Sequence, residues 1–336
     1  MTSAAAAVPG WIGETLARCG LPAATGGAPL TGGVSSDVWR VDLPGQVVCV
    51  KRARPQLAVA GDWRAPIERS HWEARWLQLA DALVPGAACP IVAADDEGHA
   101  LVLGWLAPED HPVWKEQLLA GTIEPATAAL VGERLAALHA ALRPYRDELD
   151  ESKPLFDTLR RHPYLRVTAE HHPVVADRLL ALDAELADAR QTVIHGDVSP
   201  KNVLAGPDGP VLLDAECAST GDPAFDVAFC VNHLLLKAVW RTEAADAYLG
   251  SAGVLLDAYL DGVDWEPATD VDRRTAQLLP GLALARVDGL SPVEYLTEER
   301  GRPAVRRGAL ALLVDPPADC ATLLARWHDT AVNAPS

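Results

Sequence analysis

One stretch constrains this chain more than any other: His195-Gly196-Asp197-Val198-Ser199-Pro200-Lys201-Asn202, followed by Leu212-Leu213-Asp214-Ala215-Glu216. A carboxylate, an amide five residues on, and a second carboxylate closing a short apolar run follow one another in order. Phosphoryl transfer asks for such a set. One carboxylate faces the attacking hydroxyl, while an amide oxygen and another carboxylate hold Mg²⁺ among nucleotide phosphates. Hard oxygen donors suit Mg²⁺, which keeps water and phosphate as its other neighbours. Any one of these residues alone says little; their order says much more.

The flanking sequence divides in two. Helical spacing runs over residues 11–19 and stops at Gly20. Strand-like alternation follows at Val38-Trp39-Arg40-Val41 and over 46–51. Residues 67–83 carry apolar side chains at helical spacing and include Glu73. Two more strands are expected over 90–94 and 100–106, separated by the turn Asp95-Asp96-Glu97-Gly98. After Pro108 the periodicity becomes helical over 126–142, 174–189, 226–249 and 254–261, interrupted by short strands at 192–195, 203–204 and 211–214. A strand-rich first third joined to a helical remainder predicts an α+β fold of two lobes around a cleft. The expected limits are 1–103 for the first lobe, 104–108 for a hinge and 109–336 for the second lobe.

In-line transfer of a γ-phosphoryl group needs positioning and charge stabilisation, and each requirement has a candidate. Gly32, Gly33, Ser35 and Ser36 form a small-residue loop that lets a backbone approach phosphates, although adjacent glycines also mark an ordinary hairpin. Lys51, closing Val48-Cys49-Val50, is placed to neutralise phosphates, with Glu73 as its carboxylate and Glu68 as a competitor. Asp197 is the candidate base, and His195 supports its loop. Asn202 and Asp214 are the candidate Mg²⁺ ligands, with Glu216 on the same strand face for a second ion. Asp226 either caps the helix beginning there or hydrogen-bonds back to the His195–Asp197 loop.

Composition narrows the partners. A net charge of −17 argues against nucleic acid, whose backbone requires clustered Lys and Arg. No apolar run is long enough for a membrane span, and the opening residues lack the basic and apolar regions of a secretory signal. Cys19, Cys49, Cys89, Cys217, Cys230 and Cys320 show no C-x-x-C pair, which fits reduced thiols in a cytoplasmic protein, monomeric or homodimeric.

With these residues in order, the chain resembles the aminoglycoside phosphotransferase / choline kinase / methylthioribose kinase superfamily over roughly residues 30–300. The resemblance implies a bilobal protein-kinase-like fold, an N-terminal antiparallel sheet over a larger helical lobe, and a kinase using ATP (GTP is also open) with Mg²⁺. It implies Asp197 as catalytic Asp, Asn202 and Asp214 as metal ligands, Lys51 with Glu73 as the nucleotide-positioning pair, and an adenine-binding hinge including Leu103, Gly104, Trp105 and Leu106. Asp214-Ala215-Glu216 is more similar to choline and methylthioribose kinases than to aminoglycoside enzymes.

Two features depart from protein kinases. Gly196 stands where an activation-loop-binding Arg would be, and Ser199 where the catalytic-loop Lys would be. Only eleven residues separate Asp214 from Asp226, too few for a peptide platform, so the expected partner is a small-molecule hydroxyl acceptor. The stretch 285–295 is the expected acceptor wall, with Ser199, Arg286, Asp288 and Glu294 suited to a sugar-like molecule, a cyclitol or an amino alcohol. A surface loop with compensated charges is the plain alternative for that stretch. An aminoglycoside resistance enzyme and a nucleotide-binding pseudokinase scaffold are the competing functions.

Overall fold

The computed structural model describes residues 8–30, 35–55, 65–299 and 301–333. Its first third is a five-stranded antiparallel sheet in the order β1-β2-β3-β5-β4: β1 Gly26–Pro29, β2 Ser36–Leu43, β3 Gln46–Ala53, β4 Ile91–Asp95 and β5 Ala100–Gly104. Alternation along the strands gives the sheet two different faces. Val48 and Val50 of β3 and Val102 of β5 turn to one side, where Ile12 and Leu16 of helix α1 (Gly10–Arg18) complete a small core. Leu101 and Leu103 turn to the other side, joining the main core beside helix α2 (Arg69–Leu83). Lys51 pairs with Leu101 in register. A lysine thus enters a face that is otherwise apolar.

The rest is mainly helical. Helices α3 (Trp114–Ala120) and α4 (Pro125–Leu142) lead to a bent helical stretch: α5 (Lys153–Phe156), a wide-pitched segment at Asp157–Arg166, and α6 (Val167–His171). Pro163 inside that segment has no amide to donate, which accounts for the local change in pitch. Helix α7 (Ala176–Asp188) precedes β6 (Thr192–Ile194), the hairpin β7 (Val203–Gly206) and β8 (Gly209–Leu212), and β9 (Ser219–Gly221), which pairs with β6. Then come α8 (Pro223–Trp240), α9 (Ala245–Asp261), α10 (Ala268–Asp288), α11 (Arg302–Val314) and α12 (Cys320–Trp327). Helix α8 is buried on nearly every side and packs against α9 and α10, so it is the axis of this lobe. Backbone bonds from Leu212 to Ala87 and Cys89 (2.8 and 3.1 Å) tie the two halves together. All six cysteines are free thiols. No helix of the described residues is long and apolar enough to cross a membrane.

Several expected elements need correction. The helix expected over 226–249 is two helices, broken at residues 241–244. Apolar spacing continues across the break because both helices are buried. The corner is fixed by Arg241, whose guanidinium donates to the Leu119 carbonyl at 3.1 Å. The strand expected over 211–214 ends at Leu212. Of the stretch 285–295, residues 285–288 are the last turn of α10. That helix carries the buried Pro280, a residue that reads as a breaker in sequence.

Candidate active site

On the sheet side of the cleft, Lys51 Nζ meets both oxygens of Glu73 at 2.7 and 2.8 Å and also contacts Asp214. Burial opposes its charge, but Asp214 and Glu73 outweigh burial and raise its pKa. Burial also pushes the Glu73 carboxyl up, against the pull of Lys51. The competitor Glu68 is exposed. One turn before Glu73, the buried Arg69 donates to Glu216 at 2.9 Å and to the Ser35 carbonyl at 2.6 Å. Ser35 and Ser36 line the cleft, and the buried Ser36 hydroxyl has no partner among the described residues. Gly32 and Gly33 lie outside the described residues.

On the helical side, β6 leads into the loop of Asp197. Gly196 takes φ +76, and a Cβ there would come within 2.5 Å of the Cys217 carbonyl oxygen, so both backbone angle and space call for glycine. Asp226 fixes the loop: its carboxylate accepts from the amides of His195 (2.6 Å) and Gly196 (2.8 Å) and meets His139 Nε2 at 3.2 Å. The helix cap falls to Asp222, which accepts from the Ala224 amide at 2.9 Å. Burial lowers the His195 pKa and favours the neutral ring. Its Nδ1 accepts from the Asp197 amide at 3.2 Å, so Nε2 carries the proton toward the Leu213 carbonyl at 3.0 Å.

Asp197 itself is only 3% exposed. Its carboxylate meets Arg160 at 2.8 Å, Lys201 at 3.3 Å and the Asn202 amide nitrogen at 2.8 Å. Burial works against its charge, but Arg160 and Lys201 prevail and hold the pKa below the usual carboxylate range. It is ionised at neutral pH.

With its nitrogen committed to Asp197, Asn202 offers its amide oxygen to a cation. Asp214, just past β8, sits at φ +66, a left-handed angle that aspartate tolerates better than most residues. Its Oδ1 is taken by Lys51. These two side chains provide the hard oxygen donors that Mg²⁺ prefers, with the remaining positions left to water and phosphate. Glu216 does not share a strand face with Asp214, because β8 has already ended, and its Oε2 is engaged by Arg69. The strand-face argument for a second-ion role of Glu216 therefore does not hold, although the residue lines the same cleft.

These groups share one cleft of about 720 Å³ between sheet and helices. Leu103, Gly104, Trp105 and Leu106 lie along its edge. The Gly104 amide already donates to the Pro90 carbonyl at 2.8 Å, which removes it from the groups a base can use. At the helical end, Ser199, Arg286 and Glu294 line the cleft, and the buried Ser199 hydroxyl has no partner among the described residues. Asp288 does not belong to this wall. It is held by Arg306 (2.6 and 2.8 Å) and His172 (2.8 Å) on the far side of α10's last turn.

Residues 26–267 match the phosphotransferase enzyme family. The chain belongs to that family. A methylthioribose kinase of Pectobacterium atrosepticum is 24% identical over 218 residues, 56% of this chain and 54% of that protein. One from Bacillus cereus is 24% identical over 235 residues, 61% of this chain and 59% of its own length. The chain thus spans little more than half the length of these kinases. An uncharacterized protein of Deinococcus radiodurans is 30% identical over 266 residues, 72% of each chain. Among solved structures, a choline/ethanolamine kinase family protein from Mesorhizobium loti superposes with a TM-score of 0.50 at 18% identity, covering 90% of this chain and 93% of that one. An ethanolamine kinase of Plasmodium vivax gives 0.52 at 12% identity, covering 91% and 81%. The fold is the bilobal protein-kinase-like one that the sequence resemblance implies.

Within this phosphotransferase site, sequence reasoning overlooked Arg69, Arg160, Lys201, Lys115 and Lys237. Arg69 and Glu73 are four apart on one helix, and Lys201 is inside the motif, so spacing contained both signals. Lys237 interrupts an apolar helical run, another readable sign. Arg160 comes from the Pro163-containing segment, which has no regular pattern to read.

Proposed function

We propose that this protein is an ATP- and Mg²⁺-dependent phosphotransferase that moves the γ-phosphoryl group onto a hydroxyl of a small molecule. On this reading residues 1–103 and 109–336 are the nucleotide and acceptor lobes, with 104–108 as hinge. The observation that carries it is the convergence of the ionised Asp197, the Asn202 amide and the Lys51–Asp214 pair in one cleft. Asp197 accepts the proton of the acceptor hydroxyl as its oxygen bonds to the γ-phosphorus and the bond to the ADP oxygen breaks. Arg160 and the Asn202 nitrogen hold that carboxylate in place, each within 2.8 Å. The Asn202 oxygen and Asp214 would hold Mg²⁺, which supplies charge neutralisation to the phosphates. Lys51, fixed by Glu73, would donate to the phosphates. The unpaired Ser36 hydroxyl, buried at the sheet side of the cleft, is a ready donor to a phosphate oxygen.

The methylthioribose kinase relatives support a sugar-like acceptor, with cyclitols and amino alcohols beside it. A pseudokinase scaffold is disfavoured, because every charged group of the reaction is present and faces the cleft. The test is ADP release from Mg-ATP across a panel of sugars, cyclitols, amino alcohols and aminoglycosides. Acceptor-dependent ADP formation that disappears in Asp197→Ala supports the proposal. Tight Mg-ATP binding with no turnover on any acceptor supports a scaffold instead.

A further inference from the structure

The charged side chains in and around the cleft are not all paired. Lys51 is matched by Glu73 and Asp214, Arg69 by Glu216, Arg160 and Lys201 by Asp197, and Lys115 by Glu294 at 2.5 Å. Two cations at the acceptor end are left over. Lys237 on α8 is only 1% exposed, lines the cleft, and has no hydrogen-bond or carboxylate partner among the described residues. Its ammonium lies 5.1 Å over the Tyr295 ring. Arg286 on α10 also lines the cleft and has no carboxylate partner among the described residues. Its Nη1 donates to the Ser291 carbonyl, the Tyr164 hydroxyl at 3.2 Å and the Ser291 hydroxyl at 2.8 Å, while its buried Nε has no acceptor among the described residues. The buried Tyr295 hydroxyl also has no hydrogen-bond partner among the described residues.

Keeping a buried ammonium without a counter-ion is expensive for a folded protein. A methionine would fill the same space at lower cost. The arrangement makes sense if the missing counter-ion arrives with the substrate. We propose that the acceptor carries an anionic group, a carboxylate or a phosphate, which sits between Lys237 and Arg286 while its hydroxyl reaches Asp197. This rests on the phosphotransferase reading and specifies its substrate class: a hydroxylated acid or sugar phosphate, not a cationic amino alcohol or aminoglycoside. Glu116, an exposed carboxylate at the rim, does not neutralise the inner pair.

The field around Lys237 agrees. His233 and Cys230 share its helix, Lys115 comes from α3, Arg286 from α10, and Glu294 and Tyr295 from the segment after α10. Burial, then Lys115 and Arg286, pull the Lys237 pKa down to about 7, with Glu294 opposing. An incoming anion raises it again, so the acid should bind less well as pH rises above 7.

Matched acceptors test this: D-glycerate against glycerol, D-gluconate against glucitol, glycerol 3-phosphate for the phosphate arm, and choline and kanamycin as cations. With the nucleotide site filled by Mg-AMP-PNP, acids should raise the melting temperature of the wild type and their neutral counterparts should not. Under turnover with Mg-ATP, Lys237→Met should raise the KM for the acid by roughly ten- to hundredfold, with Lys237→Arg recovering most of it. Lys237→Met itself should melt higher than the wild type, which separates lost recognition from lost folding. Equal responses of wild type and Lys237→Met to every acid, or turnover confined to neutral or cationic acceptors, overturn the anion proposal and leave the kinase reading standing. Failure of Mg-ATP to bind the wild type overturns both.

Discussion

Asp197 and Lys237 are both buried charges, but they are stabilised differently. Asp197 is surrounded by Arg160, Lys201 and Asn202, so folding keeps it ionised. Lys237 has the Tyr295 ring over its ammonium and no ion-pair partner among the described residues, and its pKa falls from 10.5 to about 7. A depressed lysine pKa means that the unfolded chain binds the extra proton between about pH 7 and pH 10.5. Stability therefore climbs with pH across that window, and the cost of Lys237 is fully present below it. Lys237→Met should stabilise the protein by roughly 2–5 kcal/mol at or below pH 7. That gain should shrink to nothing as pH approaches 10.5. Urea unfolding at several pH values checks this, and a gain independent of pH would contradict the assignment. At this scale the sequence was legible where spacing is short. Lys51 and Glu73 are recognisable because strand alternation and helix phase both point inward. Arg160 was not, because its partner is thirty-seven residues away across an irregular segment.

The loop between β6 and β7 shows how elements hold a reactive side chain without contributing chemistry. Asp226, from the first turn of α8, accepts two successive loop amides. Asp226→Ala leaves both amides and His139 without that acceptor. It should cost roughly 3–9 kcal/mol, at about 1–3 for each of the three buried groups left unpaired, read from the urea midpoint, with turnover falling as the loop loosens. Gly196→Ala forces a Cβ toward the Cys217 carbonyl from a left-handed backbone. We expect a loss of roughly 2–4 kcal/mol from strain and overpacking together, checked the same way. A neutral outcome for either variant would mean that the loop is held by something else. Helix α8 also explains the misread break at residues 241–244. Apolar spacing reports burial, and α8 and α9 are both buried, so the pattern carries no mark of the corner that Arg241 makes with Leu119. Pro280 misleads in the opposite direction, since α10 tolerates it inside.

Over the whole molecule, the two halves contribute complementary parts of one cleft. The sheet brings Lys51 and, from the helix it covers, Glu73; the helical lobe brings Asp197, Asn202 and Asp214. The α+β division was visible in the sequence because period-2 and period-3.6 patterns occupy separate parts of the chain. The acceptor wall was only half visible. Arg286 and Glu294 line the cleft as expected, but Asp288 turns to Arg306 because one turn of α10 separates the two faces. Lys237 left a mark as a charge in an apolar helical run, whereas no local pattern announces Lys115. The central claim is a division of labour: Asp197 serves the acceptor and Asp214 serves the nucleotide's metal. Calorimetric titration of Mg-AMP-PNP into the wild type, Asp197→Ala and Asp214→Ala tests it most directly. The account predicts near-wild-type affinity for Asp197→Ala and at least about tenfold weaker binding for Asp214→Ala, one lost charged contact being worth ~1.5–3 kcal/mol. Equal affinities in the two variants, or a larger loss in Asp197→Ala, would contradict it.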